Sequence, residues 1–299
     1  MELRDALVGR ATSVPVGDQG ALMEVARLCG SPVSRAQDVA AAAAKDEGFS
    51  ALLLRIANSA YSGATTRISS LPVAVTRLGF RLVQGLALAA PGLGLLVSTR
   101  DELTQQRLVL HRHAVCTALA ARQLARTPEE ADRALAAGLV HNLGLTILSL
   151  YAKDAFVELA AAAAAGKQLG PVEERTLGFT HTELGGLVSG GWGYPPELVA
   201  AIVEHDAQHP ATTLAALVQV ADLLVRESGP TFEPPRPLPT PAFALLGIDC
   251  FAARDRVRPL IDEQLRLDRE DSTARDDDEP PTIPLAAADV VTDALGALV

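Results

Sequence analysis

The chain has 299 residues, a formal net charge of −10 at pH 7, 48% hydrophobic residues and only 4% aromatics. That length accommodates one large or two ordinary domains, each able to bury a sizeable core. An acidic chain with no basic stripe and few rings on which bases could stack is not built to hold nucleic acid directly.

Ala and Leu dominate the apolar set and favour helix over strand, so the expected fold class is all-α, a multi-helix protein. Charges at Glu2, Arg4, Asp5, Arg10 and Asp18 break up the first twenty residues and argue against a signal peptide. Cys29, Cys116 and Cys250 lack paired or ligand-like spacing, which suits small buried apolar roles in a reducing compartment. The expected location is cytoplasmic.

Residues 1–105 read as short helices punctuated by Gly, Pro and Asn. Residues 82–99 carry no charge, but the Pro91-Gly92 pair reads as a break between two short buried helices. The stretch therefore falls short of the ~20 continuous apolar residues of a membrane span.

Residues 106–229 read as longer helices. One covers about 104–126, and its middle, AVCTALAA (114–121), is apolar or small all round, the mark of a fully buried helix. The next runs from about Glu129 to Tyr151. Pro195-Pro196 opens another, closed by Pro210, and Thr212 or Thr213 caps a helix that ends at Gly229. Trp192, in SGGWGYPP, reads as an anchor for its loop. Residues 230–248 form a proline-rich connector, 249–267 a short helix, and 268–299 an acidic linker followed by an apolar helix. Between Asp268 and Glu279 stand seven acids and two arginines, a balance of −5 and half of the net charge.

Polar residues on apolar helix faces carry the chemical signal. Leu198, Ile202, His205 and His209 form one stripe, and Leu214, Val218, Asp222 and Val225 another, so Asp222 points inward. His141 and Asn142 interrupt the apolar run LAAGLVHNLGLTILSL, His113 precedes the small-residue block, and His181 lies in GFTHTELGG. Buried polar groups need partners. These residues either converge on a polar pocket or are separately satisfied within the core.

The order His113, His141-Asn142, His181, His205, Asp222 resembles the histidine and aspartate series of the HD phosphohydrolase superfamily, with Asn142 where that series has Asp. DVAAAAAKDEGFSALLLRIANSAYSG (38–63) and ISSLPVAVTRLGFRLVQGLAL (68–88) resemble the N-terminal signature of the HDOD family. That signature includes Asp46, the stretch into Asn58-Ser59-Ala60 and the element from Ala74 to Gly79. AAGLVHNLG (136–144), THTELGGLV (180–188) and GWGYPPELVAAIVEHD (191–206) follow the same family, and the resemblance spans roughly residues 14–228.

The resemblance implies an HD-like helical core and a bacterial regulatory or signal-transduction role, usually without demonstrated catalysis. It marks His113, His141, Asn142, His181, His205 and Asp222 as vestigial metal-ligand candidates. Asn142 keeps an oxygen donor but loses the charge that hard divalent ions require, so a site rich in imidazole would suit zinc or a similar ion instead.

The functional expectation is therefore a non-catalytic regulatory protein acting through other signalling proteins. No catalytic residue and no cofactor are expected, and a divalent transition metal is the one group the pocket could take. The alternatives are a metal-dependent phosphohydrolase acting on a nucleotide or phosphate ester, and a nucleotide sensor. Asn58 and Ser59 are partner-contact candidates, or else backbone caps at a helix end. Val291, Leu295 and Leu298 share an apolar face with Ala288 and are candidates for docking in a partner's groove, or for packing on the chain itself.

Overall fold

The computed structural model describes residues 3–13, 19–58, 68–98 and 101–273, and these are helical with no strand among them. The first six helices are α1 (Leu3–Ser13), α2 (Gln19–Cys29), α3 (Ala36–Ala43), α4 (Glu47–Asn58), α5 (Leu71–Leu78) and α6 (Phe80–Ser98). The middle of the chain forms α7 (Thr104–Leu124), α8 (Pro128–Val140), α9 (Leu143–Tyr151), α10 (Lys153–Ala164), α11 (Leu169–Leu177), α12 (His181–Gly191), α13 (Pro196–Glu204) and α14 (Thr213–Ser228). α15 (Pro241–Leu246) and α16 (Cys250–Thr273) complete the described chain.

Local chemistry sets the helix starts. The Thr127 hydroxyl accepts from the Glu130 amide ahead of Pro128, and Thr180 and Glu183 form a reciprocal capping box. Thr212 accepts from the Ala215 amide at 3.1 Å. Side chains such as Val25, Val39, Leu53, Ile56, Val75 and Val83 then join α2–α6 to α8 and α9 in one apolar core. A second cluster, with Leu124, Leu217, Leu224, Phe243 and Val257, fixes α15 and α16 against α7 and α14. Full burial of each such side chain contributes roughly 1.5–3 kcal/mol.

Two close approaches position the middle helices. A Cβ on Gly138 would lie 2.5 Å from Ala118 Cα, so this glycine lets α8 press its backbone onto α7. A Cβ on Gly144 would lie 1.9 Å from the His181 carbonyl oxygen, so α9 and the start of α12 also meet backbone to backbone. The two glycines flank the His141-Asn142 doublet by three and two residues, drawing α7 and α12 to either side of it.

The structure redraws several boundaries. The expected break at Pro91-Gly92 is absent, because α6 runs through it to Ser98. A proline forfeits one backbone donor without forcing a helix to end. The expected single helix 129–151 is divided: α8 stops at Val140, His141 caps it, and α9 begins after Asn142. α13 ends at Glu204 with His205 as its cap, so His209 leaves the stripe and is exposed. Residues 230–248 contain the short helix α15, and the expected short helix 249–267 extends to Thr273 with Pro259 inside it. Cys116 is buried, whereas Cys29 and Cys250 are partly exposed. Trp192 is buried as the cap of α12.

One described segment, Pro128–Tyr151, is long and apolar enough to cross a membrane, but 89% of its apolar window is buried inside the protein.

Candidate functional site

Four imidazoles stand in a row between the helices. Ring centroids are 5.2 Å apart for His113 and His141, 4.9 Å for His141 and His205, and 5.5 Å for His205 and His181. His113 projects from the middle of α7, whereas His141, His181 and His205 sit at helix ends, where the chain turns and a side chain can enter the space between elements. All four are at least 99% buried.

The outer nitrogen of each ring is fixed by an acceptor. His141 Nδ1 donates to the Gly138 carbonyl at 2.7 Å, and His205 Nδ1 donates to the Ile202 carbonyl at 2.8 Å. His113 Nδ1 donates to the Pro230 carbonyl at 2.9 Å, and His181 Nδ1 to the Glu173 carboxylate at 2.8 Å. Carbonyl oxygens only accept, so Nδ1 of His113, His141 and His205 carries a proton, and Nε2 is turned inward. The Nε2 atoms of His141, His181 and His205 have no hydrogen-bond partner, nor does the buried Asn142 Oδ1.

Protonation follows position along the row. Burial, with His205 and His113 nearby, holds the His141 imidazole well below its ordinary range. Burial also lowers His205 to about 4. Both rings are therefore neutral at pH 7. Burial opposes a charge on His181 too, but Glu173 outweighs it and raises this group to about 9.

At one end of the row Asp222 Oδ1 accepts from His113 Nε2 at 2.9 Å and lies 3.9 Å from His141 Nε2. Burial alone would raise this carboxyl, but the adjoining Arg226 guanidinium and His113 hold it well below the usual range. Arg226 Nη2 lies 2.6 Å from Asp222 Oδ2, 2.7 Å from Glu233 Oε1 and 3.2 Å from Asp206 Oδ1. Burial raises Glu233 to about 7 despite Arg226. Glu233 comes from the connector, which is strapped down elsewhere as well: Arg236 pairs with Asp206 and Gln168, and Phe232 stacks on Phe156.

Each candidate named from the sequence has a definite place. His113, His141, His181, His205 and Asp222 come together in one buried cluster, and Asn142 is buried next to His141 in the chain. Asn58 lies apart, donating to the Leu54 and Ile68 carbonyls and accepting from the Ile68 amide, and so ties the end of α4 to the segment before α5. Ser59, Val291, Leu295 and Leu298 lie outside the described residues.

Four pocket residues escaped sequence reasoning: Glu173, Asp206, Arg226 and Glu233. Arg226 stands four residues after Asp222 on the same helix face, and Asp206 adjoins His205, so both had a positional signal. Glu173 and Glu233 had none, because one lies on an otherwise ordinary amphipathic helix and the other in a proline-rich loop.

Residues 19–208 match the model of the HDOD domain. The chain belongs to the HDOD domain family. The matched segment carries His113, His141, His181 and His205, whereas Asp222, Arg226 and Glu233 lie beyond it. Among similar sequences is an uncharacterized protein of Treponema pallidum, 27% identical over 216 residues, or 69% of this chain and 41% of that one. This HDOD chain thus spans less than half the length of that relative.

The same architecture recurs in solved structures. An HDOD domain protein of unknown function from Geobacter sulfurreducens is 22% identical with a TM-score of 0.65, over 91% of both chains. A Shewanella amazonensis protein provisionally named a phosphohydrolase is 18% identical with a TM-score of 0.63, over 96% of this chain and 98% of that one. A Marinobacter aquaeolei protein provisionally named for signal transduction is 22% identical with a TM-score of 0.67, over 97% and 61% respectively. At these identities the likeness is one of fold.

The donor set of the HDOD pocket fits a metal ion. His113, His141 and Asp222 bring ligand atoms within 4.8 Å of one another, as do His181, Asp206 and Glu233. Imidazoles whose second nitrogen is hydrogen-bonded to a carbonyl or carboxylate are what metal sites use to fix ring orientation. The inward lone pairs of His141 and His205 suit a zinc-like transition ion better than a hard ion, which prefers several anionic oxygens.

Proposed function

We propose that this HDOD protein is a non-catalytic regulatory or signal-transduction protein of the cytoplasm that works through contacts with other proteins. In this reading its histidine pocket holds at most a single transition ion in a structural role. The observation that carries it is the state of the pocket's oxygen ligands. Asn142 is neutral where the HD series has a carboxylate, and the one carboxylate beside His113 and His141 is bound to Arg226 at 2.6 Å. Hydrolysis by a metal site requires an ion that polarises the ester or activates water, together with a position open to substrate. Here the ligand side chains are buried and the connector lies across them. When bound, an ion would draw on His113, His141 and Asp222, and would supply cross-linking between α7, α8 and α14.

The competing reading is a phosphohydrolase, favoured by the retained imidazoles. The test is turnover of a generic phosphodiester and of nucleotides with manganese or magnesium present, compared between the native chain and His141→Ala. Equal background rates are the expected result. Robust turnover that disappears in His141→Ala overturns the proposal.

A further inference from the structure

Arg226 brings together three carboxylates from separate segments: Asp206 from the turn after α13, Asp222 from α14 and Glu233 from the connector. One atom, Nη2, approaches all three at 3.2, 2.6 and 2.7 Å, while Nε donates to Asp222 Oδ1 at 2.9 Å. The Arg226 and Asp222 side chains are fully buried and that of Glu233 nearly so; Asp206 retains 12% exposure. A positive point approached by buried carboxylate oxygens from three chain segments is the arrangement in which proteins commonly place a divalent ion. A guanidinium can take that place because it is always charged and presents several donors in a fixed plane. Around it the inward Nε2 of His181 and the His113–His141 pair already stand with ligand atoms within 4.8 Å of those carboxylates.

We propose that Arg226 is a resident cation that takes the place of a metal ion in holding Asp206, Asp222 and Glu233, and that it keeps a divalent ion out of this end of the pocket. The connector is then closed by a covalently attached charge and needs no ion supply. Removing the guanidinium leaves Glu233 and Asp222 buried without their shared arginine, and Asp206 with Arg236 alone, and converts the position into a divalent-cation site on which folding depends. The proposal concerns the Arg226 end of the pocket, which shares Asp222 with the histidine row.

The experiment compares the melting temperature of the native chain and Arg226→Met, each with chelator, with manganese and with zinc, using sodium chloride of matched ionic strength as control. Arg226→Met is expected to melt far below the native chain in chelator and to regain most of the loss with a divalent ion but not with salt. The native chain should gain much less. If Arg226→Met does not accumulate, refolding it from denaturant with and without manganese reads the same outcomes. Repeating the comparison in a His141→Ala background separates the two ends of the pocket: the divalent rescue should persist there. A variant as stable as the native chain in chelator overturns the proposal, as does one that no divalent ion rescues, or a rescue that vanishes with His141→Ala.

Discussion

The two halves of this HDOD protein bury different things. Among the described side chains up to Ala90 every buried one is apolar, whereas from Arg107 onward the interior also takes in four histidines of the row, Asp222, Glu173, Arg226 and Glu233. The first half is held by shape and by transfer from water, forces that tolerate any well-fitting apolar side chain. The second half retains groups that are costly to bury and that stabilise only when their partners are present. A fold needing stability alone would have no use for such groups, so the difference marks where this chain's specific chemistry resides.

Breaking a partner in the second half should produce the largest effect. Asp222→Ala leaves Arg226 short of its nearest carboxylate and removes the acceptor of His113 Nε2, with an expected loss of ~3–5 kcal/mol in urea unfolding. A change within ~1 kcal/mol of the native value would show that the network carries little of the stability.

The matching cut in the first half is Leu53→Ala in the fully buried face of α4. It should cost about 3 kcal/mol through lost burial and a cavity, yet leave the zinc affinity of the folded protein unchanged. A fall in zinc affinity as large as that of Asp222→Ala would dissolve the distinction between the halves.

Gly144→Ala sharpens the comparison inside the second half. The added methyl meets the His181 carbonyl at 1.9 Å, and backbone on both sides resists movement. An expected loss of roughly 1–3 kcal/mol should come with a weakened zinc site, because this approach sets His181, at the start of α12, relative to the His141-Asn142 turn that precedes α9.

The pH effects oppose one another, so their net size is expected to be the smallest. His205 has its folded pKa lowered to about 4 from 6.5, so the unfolded chain takes up the proton first as pH falls. Its contribution is complete above 6.5 and declines between 6.5 and 4, and His141 acts in the same direction. His181, raised to about 9, works the other way, with its contribution present below 6.5 and lost as pH rises through 9. Glu233, raised from 4.5 to about 7, likewise contributes most at low pH and loses that contribution as pH rises through 7. Urea midpoints should therefore fall on the alkaline side, and His181→Gln should flatten the slope between pH 6.5 and 9. An unchanged slope in that variant would mean that His181 is not held charged by Glu173.

These contrasts also explain what the amino-acid order could reveal. Helix identity was legible where Pro195-Pro196, Pro210 and Thr212 punctuate the chain locally. The histidine row was legible because imidazoles on apolar stripes stand out and match a known series. The break at His141-Asn142 was not, since the largely apolar run from Leu135 to Leu150 contains no proline and only the approach of α7 and α12 explains the turn. Continuation of α6 through Pro91 was equally hidden, because a proline signals a stop without enforcing one. Glu173 and Glu233 became pocket residues through tertiary packing alone.

The most direct measurement is zinc K-edge X-ray absorption on chelator-treated protein loaded with one equivalent of zinc. The expected spectrum has a nitrogen-dominated first shell with imidazole scattering from at least two rings, lost in a His141→Ala, His205→Ala double variant. A shell of carboxylate oxygens alone, or zinc that does not stay with the protein through gel filtration, would contradict the assignment of the histidine row as an ion site.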